Sequence, residues 1–343
     1  MSPDVPTPLV RVEPGSVTPV AAQALRAGAV FATVPAGVFD LDGPGAVACM
    51  QGLLTNDLDA PGDGALVYGA LLTPKGMIVV DGWAGRTGNT VRFTVPAEGR
   101  ERAAGVFQRS IPPRLARVTD RSTELRVLRL AGPRAVALAE AARLRVPEAP
   151  GRIGSAGDAV VGRASDVAPF ALQWIGPLAA VEEIRKRLLE SGAVAGDAAV
   201  LDLARILAGW PGLVSEIDDK TLPQEVRYDE IGGVSYTKGC YTGQETVSRL
   251  HFRGHPNRGL RGIRLESEPS PEWRGAPPVI LGDREVGRLT SLARIPEGPP
   301  GSGVWMGLAM LRREVPEGAA VRIGMIDATV TTLPLPVPRF DPA

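Results

Sequence analysis

Strand-like and helix-like patterns of hydrophobic positions alternate along the first part of the chain. Residues 38–42 alternate apolar and acidic side chains, which is typical of a strand with one buried face. The glycine-rich turn at 43–45 then precedes a short helix, predicted over 46–53. Apolar runs on both sides of the turn at 74–76 predict a hairpin, and the alternation over 90–95 predicts a third strand beside it.

Strands followed by helices recur farther along the chain. The predicted elements are a helix over 98–108, a strand over 124–130, a helix over 133–143, a strand over 170–174, and helices over 181–191 and 198–208. Because the strands occur in hairpins and helices follow them, the pattern predicts an α+β fold built of β-β-α units rather than a parallel α/β sheet.

The pattern changes after Arg258. Short strand-like runs separated by glycine, proline and charged turns lie at 260–265, 278–281, 284–293, 305–311 and 320–333. No helix is predicted among them, and this spacing is typical of a small all-β barrel. The sequence therefore predicts two domains, 1–258 and 259–343, with the proline-rich end from Pro334 lying along the surface.

Composition excludes several classes of protein. The 343 residues are 44% hydrophobic and 22% charged, which is ordinary for a globular chain. Lys plus Arg and Asp plus Glu both number 38, so direct binding of nucleic acid by a broad basic field is not expected. No secretory signal or membrane-spanning stretch is recognised, and two distant cysteines suit a reducing compartment. A cytoplasmic protein with no membrane contact is expected.

The segment Lys238–Glu245, with the sequence Lys-Gly-Cys-Tyr-Thr-Gly-Gln-Glu, carries the most distinctive chemistry. It holds one of the two cysteines, Cys240, between flexible glycine-containing turns, and a helix is predicted to begin just after Gly243. A nearby lysine and a helix N-terminus both favour a thiolate, so Cys240 is a candidate nucleophile with Lys238 lowering its pKa. The alternative is a small, buried and inert cysteine in a turn.

Both histidines of the chain, His251 and His255, follow this segment at once. Cys240 and His251 form a partial set of soft metal ligands, which a partner protein would have to complete. The alternative is that the histidines line a loop that binds a phosphate or carboxylate together with the neighbouring arginines. Residues 229–237 are predicted to form a turn and a strand that lead into the cysteine segment.

Several motifs resemble those of one known family. The cysteine segment, followed by Arg249 and Arg253-Gly254, closely resembles the signature of the YgfZ-type folate-binding proteins, relatives of a mitochondrial iron–sulfur assembly factor. Further motifs in that family's order are Leu41–Asp57, Leu71–Gly76, Arg205–Gly209 and Leu222–Glu225. The wider superfamily includes the T-protein, the aminomethyltransferase of glycine cleavage. The resemblance implies a folate-binding α+β body and a C-terminal β-barrel.

The resemblance also implies site residues. Tetrahydrofolate is the expected cofactor, and its binding residues are expected among Asn56, Tyr241, Gln244, Glu245, Arg249, Arg253 and Arg258, with the arginines holding its glutamate tail. The T-protein carries two acids after a Gly-Gly turn, and only Asp81 stands at the matching position here. Leu207 stands where the T-protein motif has an acid that is taken to grip the pterin ring, which disfavours a full transferase.

Three functions remain open. The first is a folate-dependent accessory protein for assembly or repair of iron–sulfur clusters, including those of tRNA-modifying enzymes, with Cys240 as the reactive thiol. Its partners would be iron–sulfur scaffold or client proteins, and a cluster shared with them is a second candidate cofactor. The second is a folate-dependent aminomethyltransferase or demethylase that uses Asp81. The third is a non-catalytic module that docks a partner through the barrel.

Overall fold

The computed structural model describes residues 8–336 except 14, 274 and 297–302, and this part of the chain forms three β-sheets with helices packed on them. The strands are β1 (Val10–Val12), β2 (Val30–Val34), β3 (Ala36–Asp42), β4 (Leu66–Leu72), β5 (Ile78–Thr87), β6 (Thr90–Pro96), β7 (Arg117–Asp120), β8 (Leu125–Ala131), β9 (Arg152–Ala156), β10 (Ala159–Arg163), β11 (Leu172–Pro177), β12 (Val194–Ala195), β13 (Arg258–Leu265), β14 (Pro278–Leu281), β15 (Arg284–Pro296), β16 (Gly303–Arg312), β17 (Ala320–Ile323) and β18 (Ile326–Thr331). The helices are α1 (Pro19–Ala27), α2 (Ala46–Gln51), α3 (Arg100–Ser110), α4 (Ala135–Ala141), α5 (Leu178–Glu190), α6 (Ala198–Ala208) and α7 (Gln244–Arg253).

Two of the sheets form the body of the molecule. One has five strands in the order β4-β5-β6-β3-β7, and α2 and α3 cover it through a core that includes Phe39, Phe93 and Phe107. The other has six strands in the order β12-β2-β8-β11-β10-β9. Helices α4 and α5 bury one face of this sheet around Trp174 and Leu128. The strands thus occur mainly as antiparallel hairpins that helices cover, which confirms the predicted α+β fold.

The third sheet is the predicted C-terminal barrel. Strands β15, β14, β17, β18, β13 and β16 pair in that order, and β16 pairs back with β15, which closes the ring. Apolar side chains fill its interior, among them Ile263, Leu289, Trp305 and Val330. Because the ring is closed, each of these six strands has a paired neighbour on both sides.

The N-terminal strand β1 adds a further strand to the barrel sheet. Its residues pair in parallel with β15, for example Val10 with Ser291 and Val12 with Ala293. Strand β13 begins at Arg258, so the barrel strands other than β1 follow the predicted boundary. The division into 1–258 and 259–343 stays a prediction, because a strand from the first segment belongs to the barrel sheet.

The structure departs from the sequence predictions in a few segments, and it contains elements for which no prediction was made, namely β1, β2, β7, β9, β10, β12 and α1. Residues 229–237 form turns and bends instead of the predicted strand. The run 320–333 is a hairpin of two strands, because Gly324 adopts a positive φ of 61° between them. Leu335 is buried at 4% exposure and its N–H donates to the carbonyl of Leu207, so the end of the chain does not lie along the surface up to this point. Residues 337–343 of the predicted tail lie outside the described residues.

Helix α6 joins the body to the barrel and is well specified by its sequence. The side chain of Asp197 accepts a hydrogen bond from the N–H of Ala199 at its start, and Gly209 takes the left-handed conformation at its end. Its apolar face contributes Val200, Leu203 and other residues to the core that all three sheets share. No α-helix in the described part of the chain is long and apolar enough to span a bilayer.

Candidate folate site and cysteine segment

A cavity of about 320 Å³ lies where the two body sheets, α6 and the loop after it meet. The ionisable residues in its wall come from four separate elements and are Asp81, Glu98, Arg129, Asp202 and Arg205. Their convergence on one cavity cannot come from local sequence, because β5, β8 and α6 are far apart in the chain. Converging charges in a concave site are typical of a ligand-binding site.

Asp81 is the buried acid of this cavity. It is 4% exposed, and its Oδ2 accepts a 2.6 Å hydrogen bond from the hydroxyl of Tyr68. The hydroxyl of Tyr228 lies 3.1 Å from that of Tyr68 and extends the chain of polar groups. The other oxygen, Oδ1, is buried and has no hydrogen-bond partner among the described residues. Burial raises the pKa of Asp81, so this carboxyl holds a proton at a higher pH than an exposed one.

Aromatic rings form the apolar wall beside Asp81. Tyr68 packs at 4.6 Å from Trp210 and 5.4 Å from Trp83, and the two indoles stack at 6.0 Å with an interplanar angle of 11°. Phe170 meets Trp83 edge to face at 5.2 Å. Rings packed in this way give a rigid surface for a flat ligand.

A second cavity, of about 250 Å³, lies between β5–β6 and β9–β11. It shares the wall residues Trp83 and Thr94 with the first. Its polar groups include Oε1 of Gln173 and Oγ1 of Thr94, which are both buried and have no hydrogen-bond partner in the described part of the chain. Arg92 also lines it, but its guanidinium is bound by Asp40 through hydrogen bonds of 2.7 and 2.8 Å. The second cavity is therefore closer to neutral than the first.

Arg205 is fixed in the wall of the larger cavity by a buried acid. Its Nη1 donates to Oε2 of Glu216 at 2.8 Å, and the side chain of Glu216 has no exposed surface. Glu216 also accepts from the hydroxyl of Ser291 in β15 at 2.6 Å. The network therefore ties a barrel strand to the cavity wall.

Lys238 lies close to Cys240 in sequence, but its ammonium is bound elsewhere. The Nζ donates hydrogen bonds of 2.7, 2.7 and 2.8 Å to the carbonyls of Gln51, Leu54 and Asn56. These carbonyls end α2 and form the loop after it. Burial lowers the pKa of Lys238 to about 8, which still leaves it charged at pH 7. The structure therefore gives Lys238 a role in holding this loop, whereas the predicted effect on the thiol has no direct contact to support it.

Cys240 is exposed, and α7 begins four residues after it, as the sequence predicts. Gly243 stands between them with a positive φ of 83°, and a Cβ there would approach the carbonyl oxygen of Thr73 to 2.6 Å. The alternative of a buried cysteine is wrong, because Cys240 is exposed, and its reactivity stays a prediction. The other cysteine, Cys49, is only partly exposed, and burial raises its thiol pKa.

The difference between the two cysteines gives a first testable prediction. At pH 7.5 the folded protein should react with iodoacetamide first at Cys240, with Cys49 modified at least ~10-fold more slowly because of its burial and raised pKa. Mass spectrometry of proteolytic peptides taken over time measures both rates. Equal rates in the native protein, or a faster reaction at Cys49, would contradict the assignment of Cys240 as the accessible thiol.

The other residues predicted to bind folate are not part of either cavity. These residues are Asn56, Tyr241, Gln244, Glu245, Arg249, Arg253 and Arg258. Asn56 instead donates to the carbonyls of Tyr68 and Gly232, and Arg258 is bound by both carboxylate oxygens of Glu225 at 3.0 and 3.1 Å. The structure thus brings Asp81 to the cavities without these seven residues.

The predicted metal pair, Cys240 and His251, also has other surroundings. The imidazole of His251 stacks on Tyr236 at 3.7 Å, and its Nδ1 lies 3.3 Å from Oδ2 of Asp229. The hydroxyl of Tyr236 donates to the other oxygen of Asp229. Among the described residues no group of three or more His, Cys, Asp and Glu side chains is arranged to hold a metal.

Several cavity residues were not predicted from the sequence, notably Tyr68, Arg129 and Gln173. Arg129 and Gln173 stand inside apolar strands, and a polar residue in such a run is the signal that would have identified them. The expectation for Leu207 also needs correction. Leu207 is not a wall residue of either cavity, so its lack of a carboxylate does not argue against a ligand there.

The sequence and the fold of this chain are similar to those of several known proteins. Residues 21–149 match the family described as the GCVT N-terminal domain. The chain is 27% identical over 326 residues to an aminomethyltransferase of Rubrobacter xylanophilus, covering 89% of this chain and 83% of that protein. Its fold is also that of the glycine cleavage system aminomethyltransferase T from Bartonella henselae, with a TM-score of 0.75 over 92% of this chain and 88% of the other at 19% identity.

Two further relatives bear the name tRNA-modifying protein YgfZ. The chain is 34% identical over 120 residues to the one from Edwardsiella ictaluri, covering 34% of this chain and 35% of that protein. It is 32% identical over 130 residues to one from Aliivibrio fischeri, covering 37% and 40% respectively. These alignments therefore span less than half of each YgfZ protein. Together with the fold, these matches make the chain similar both to aminomethyltransferases and to the YgfZ proteins.

Proposed function

We propose that the protein binds tetrahydrofolate in its two neighbouring cavities and supports assembly or repair of iron–sulfur clusters, including those of tRNA-modifying enzymes, through the thiol of Cys240. The observation that carries the folate part is a set of buried polar atoms in the cavity walls that have no partner in residues 8–336 as far as the structure describes them, namely Asp81 Oδ1, Thr94 Oγ1 and Gln173 Oε1. Buried polar atoms without partners are costly, and a bound ligand would satisfy them.

The two cavities differ in a way that suits the two ends of a folate. The smaller one, with Gln173 and Thr94, is suited to a neutral heterocycle such as a pterin, whose N–H groups can donate to an amide oxygen. The larger one contains Asp81, Glu98 and Asp202 together with Arg129 and Arg205, and the cation of Arg129 is the group in it that is suited to the anionic tail. Trp83 belongs to both walls and would contact the middle of the ligand.

The thiol part of the proposal rests on exposure. Cys240 faces solvent in a glycine-rich segment at the start of α7, where a partner protein can reach it. A complete set of cluster ligands is not found among the described residues, so a cluster held at Cys240 would need ligands from the partner. Folate binding and the thiol function are thus assigned to different parts of the molecule.

Both parts can be tested with matched variants. Titration of reduced tetrahydrofolate without oxygen, followed by tryptophan fluorescence, should show binding by the wild type and at least ~10-fold weaker binding by Gln173→Leu, because the amide contacts are lost. Gln108→Leu, which alters an exposed glutamine on α3, is the control. Cys240→Ala should bind folate normally but fail to restore activity of an iron–sulfur tRNA-modifying enzyme in cells lacking the protein.

Three results would each overturn a part of this proposal. Absence of folate binding by the wild type removes the folate part, and equal affinity of wild type and Gln173→Leu removes the assigned cavity. Full support of the iron–sulfur enzyme by Cys240→Ala removes the thiol part.

Asp81 favours a second candidate, a folate-dependent aminomethyltransferase or demethylase. A buried carboxyl with a raised pKa and one free oxygen, set beside the folate cavity, has the properties of a group that positions or protonates a folate nitrogen. Transfer from an S-aminomethyl thiol donor to tetrahydrofolate, which releases ammonia and the free thiol as methylene-tetrahydrofolate forms and needs no oxidant, would separate this candidate from the first, and Asp81→Asn should abolish that turnover.

The same substitution should alter stability. Because the pKa of Asp81 is raised in the folded state, the folded protein binds more protons than the unfolded one as the pH rises above the ordinary value of 3.8, and stability is lost across that window. Asp81→Asn should remove this loss and raise the free energy of unfolding at pH 7 by about 1 to 3 kcal/mol. Urea unfolding at pH 5 and pH 7.5 measures it. The exposed Asp158→Asn is the control, and lower stability of Asp81→Asn than of this control at pH 7.5 would contradict the prediction.

A further inference from the structure

Arg129 in β8 is a cation in the wall of the larger cavity, and no acid among the described residues forms an ion pair with it. Its guanidinium lies 4.4 Å from the centre of the Phe170 ring, and its Nε is buried with no hydrogen-bond partner among the described residues. Burial lowers its pKa to about 10, so it keeps its charge at neutral pH.

Arg129 differs in this from the other two arginines that line the cavities. Arg92 is bound by Asp40, and Arg205 is bound by Glu216 and by the carbonyl of Trp210. Their guanidinium groups already have anionic partners, which leaves them less able to bind a ligand. Among the described cavity arginines, Arg129 is the one whose guanidinium N–H groups have no anionic partner and can therefore bind a ligand.

A buried cation without an anion is unfavourable, and a carboxylate is the group that best removes this cost. The planar guanidinium matches a carboxylate with two parallel hydrogen bonds. Asp81 attracts Arg129 electrostatically but forms no ion pair with it, and the hydroxyl of Tyr68 already binds one of its oxygens. A carboxylate supplied by the ligand would fill this role.

We infer that Arg129 binds a carboxylate of the glutamate moiety of folate and thereby selects folate over analogues that lack it. This inference rests on the proposed function. The pterin ring is neutral and suits the smaller cavity with Gln173, so the anionic end of the ligand lies toward Arg129. Arg129 thus takes the role predicted for Arg249, Arg253 and Arg258, of which Arg258 is bound by Glu225.

The test compares tetrahydrofolate with the methylamide of tetrahydropteroate, which keeps the benzoyl amide but has no carboxylate. Wild type should bind tetrahydrofolate the more tightly. Arg129→Gln should weaken tetrahydrofolate binding ~10- to 100-fold and leave binding of the methylamide unchanged, because only the charged hydrogen bonds are lost. Arg129→Lys should keep part of the preference. Arg134→Gln, an exposed arginine near the start of α4, is the control and should behave as wild type.

Salt dependence gives a readout on the wild type alone, independent of whether a variant folds. Affinity for tetrahydrofolate should fall more steeply with ionic strength than affinity for the methylamide of tetrahydropteroate, because only tetrahydrofolate brings carboxylates to the cavity. Equal affinity of the wild type for both ligands, or equal weakening of both by Arg129→Gln, would overturn the inference but leave folate binding intact. Failure of the wild type to bind either ligand would overturn both the inference and the proposed folate site.

Discussion

Replacement of Glu216 by alanine is expected to lower the free energy of unfolding by about 3 to 5 kcal/mol, because it removes the anion from a buried network. The side chain of Glu216 has no exposed surface. Its oxygens accept hydrogen bonds from Nη1 of Arg205 at 2.8 Å, the N–H of Gly212 at 2.7 Å, and the hydroxyls of Ser215 at 2.7 Å and Ser291 at 2.6 Å. All four donors would lose their acceptor, and one of them belongs to a cation.

Urea unfolding followed by tryptophan fluorescence measures this loss. Glu140→Ala, which changes an exposed glutamate on α4, is the matched control and should alter stability by less than ~0.5 kcal/mol. Glu216→Gln keeps the shape of the side chain and one acceptor oxygen. Its loss of unfolding free energy should therefore lie between those of Glu216→Ala and Glu140→Ala. If Glu216→Ala unfolds at the same urea concentration as Glu140→Ala, the network does not stabilise the fold as the hydrogen bonds indicate.

The same network links stability to the cavity. Arg205 is a wall residue of the larger cavity, while Ser291 belongs to the barrel strand β15. The barrel is also attached to α6 through the hydrogen bond from Leu335 to Leu207. Because the barrel contacts the helix that forms one cavity wall, a change at the barrel junction is expected to weaken ligand binding as well as folding.

The elements of the fold were largely predictable because their signals are local. Helix α6 lies at 198–208 as predicted, since its apolar periodicity, its Asp197 cap and the glycine after it all lie within a few residues. The strands of the barrel were recognised by their short, evenly spaced apolar runs. Strand β1 was not, because three residues paired in parallel with a strand 281 positions away leave no local pattern.

The site was less predictable because its residues meet only through tertiary structure. Asp81 could be found by its place in a motif. Gln173 and Arg129, in contrast, are single polar residues on strands, and their meaning depends on which sheet faces which cavity. In the cysteine segment, closeness in sequence suggested an interaction that the structure does not support. Lys238 is two positions from Cys240 in sequence, yet the loop directs the ammonium to the carbonyls at the end of α2.

Replacement of Lys238 by methionine is the second change expected to have a large effect. Methionine keeps most of the buried apolar stem but removes the donor to the carbonyls of Gln51, Leu54 and Asn56. Buried carbonyls that lose a charged donor each cost about 1 to 3 kcal/mol, partly offset by relaxation, so the free energy of unfolding should fall by about 3 to 5 kcal/mol. Urea unfolding measures this, with the exposed Lys220→Met as control.

The two roles considered for Lys238 make different predictions for Cys240. If the ammonium mainly holds the loop at 51–56, Lys238→Met should unfold more easily than Lys220→Met, while the folded variant alkylates at Cys240 with an unchanged pH profile. If the ammonium mainly stabilises the thiolate, the pH at which alkylation reaches half its maximal rate should rise and stability should be unaffected. The three hydrogen bonds to carbonyls lead us to expect the first result, and the second would contradict the role that these contacts assign to Lys238.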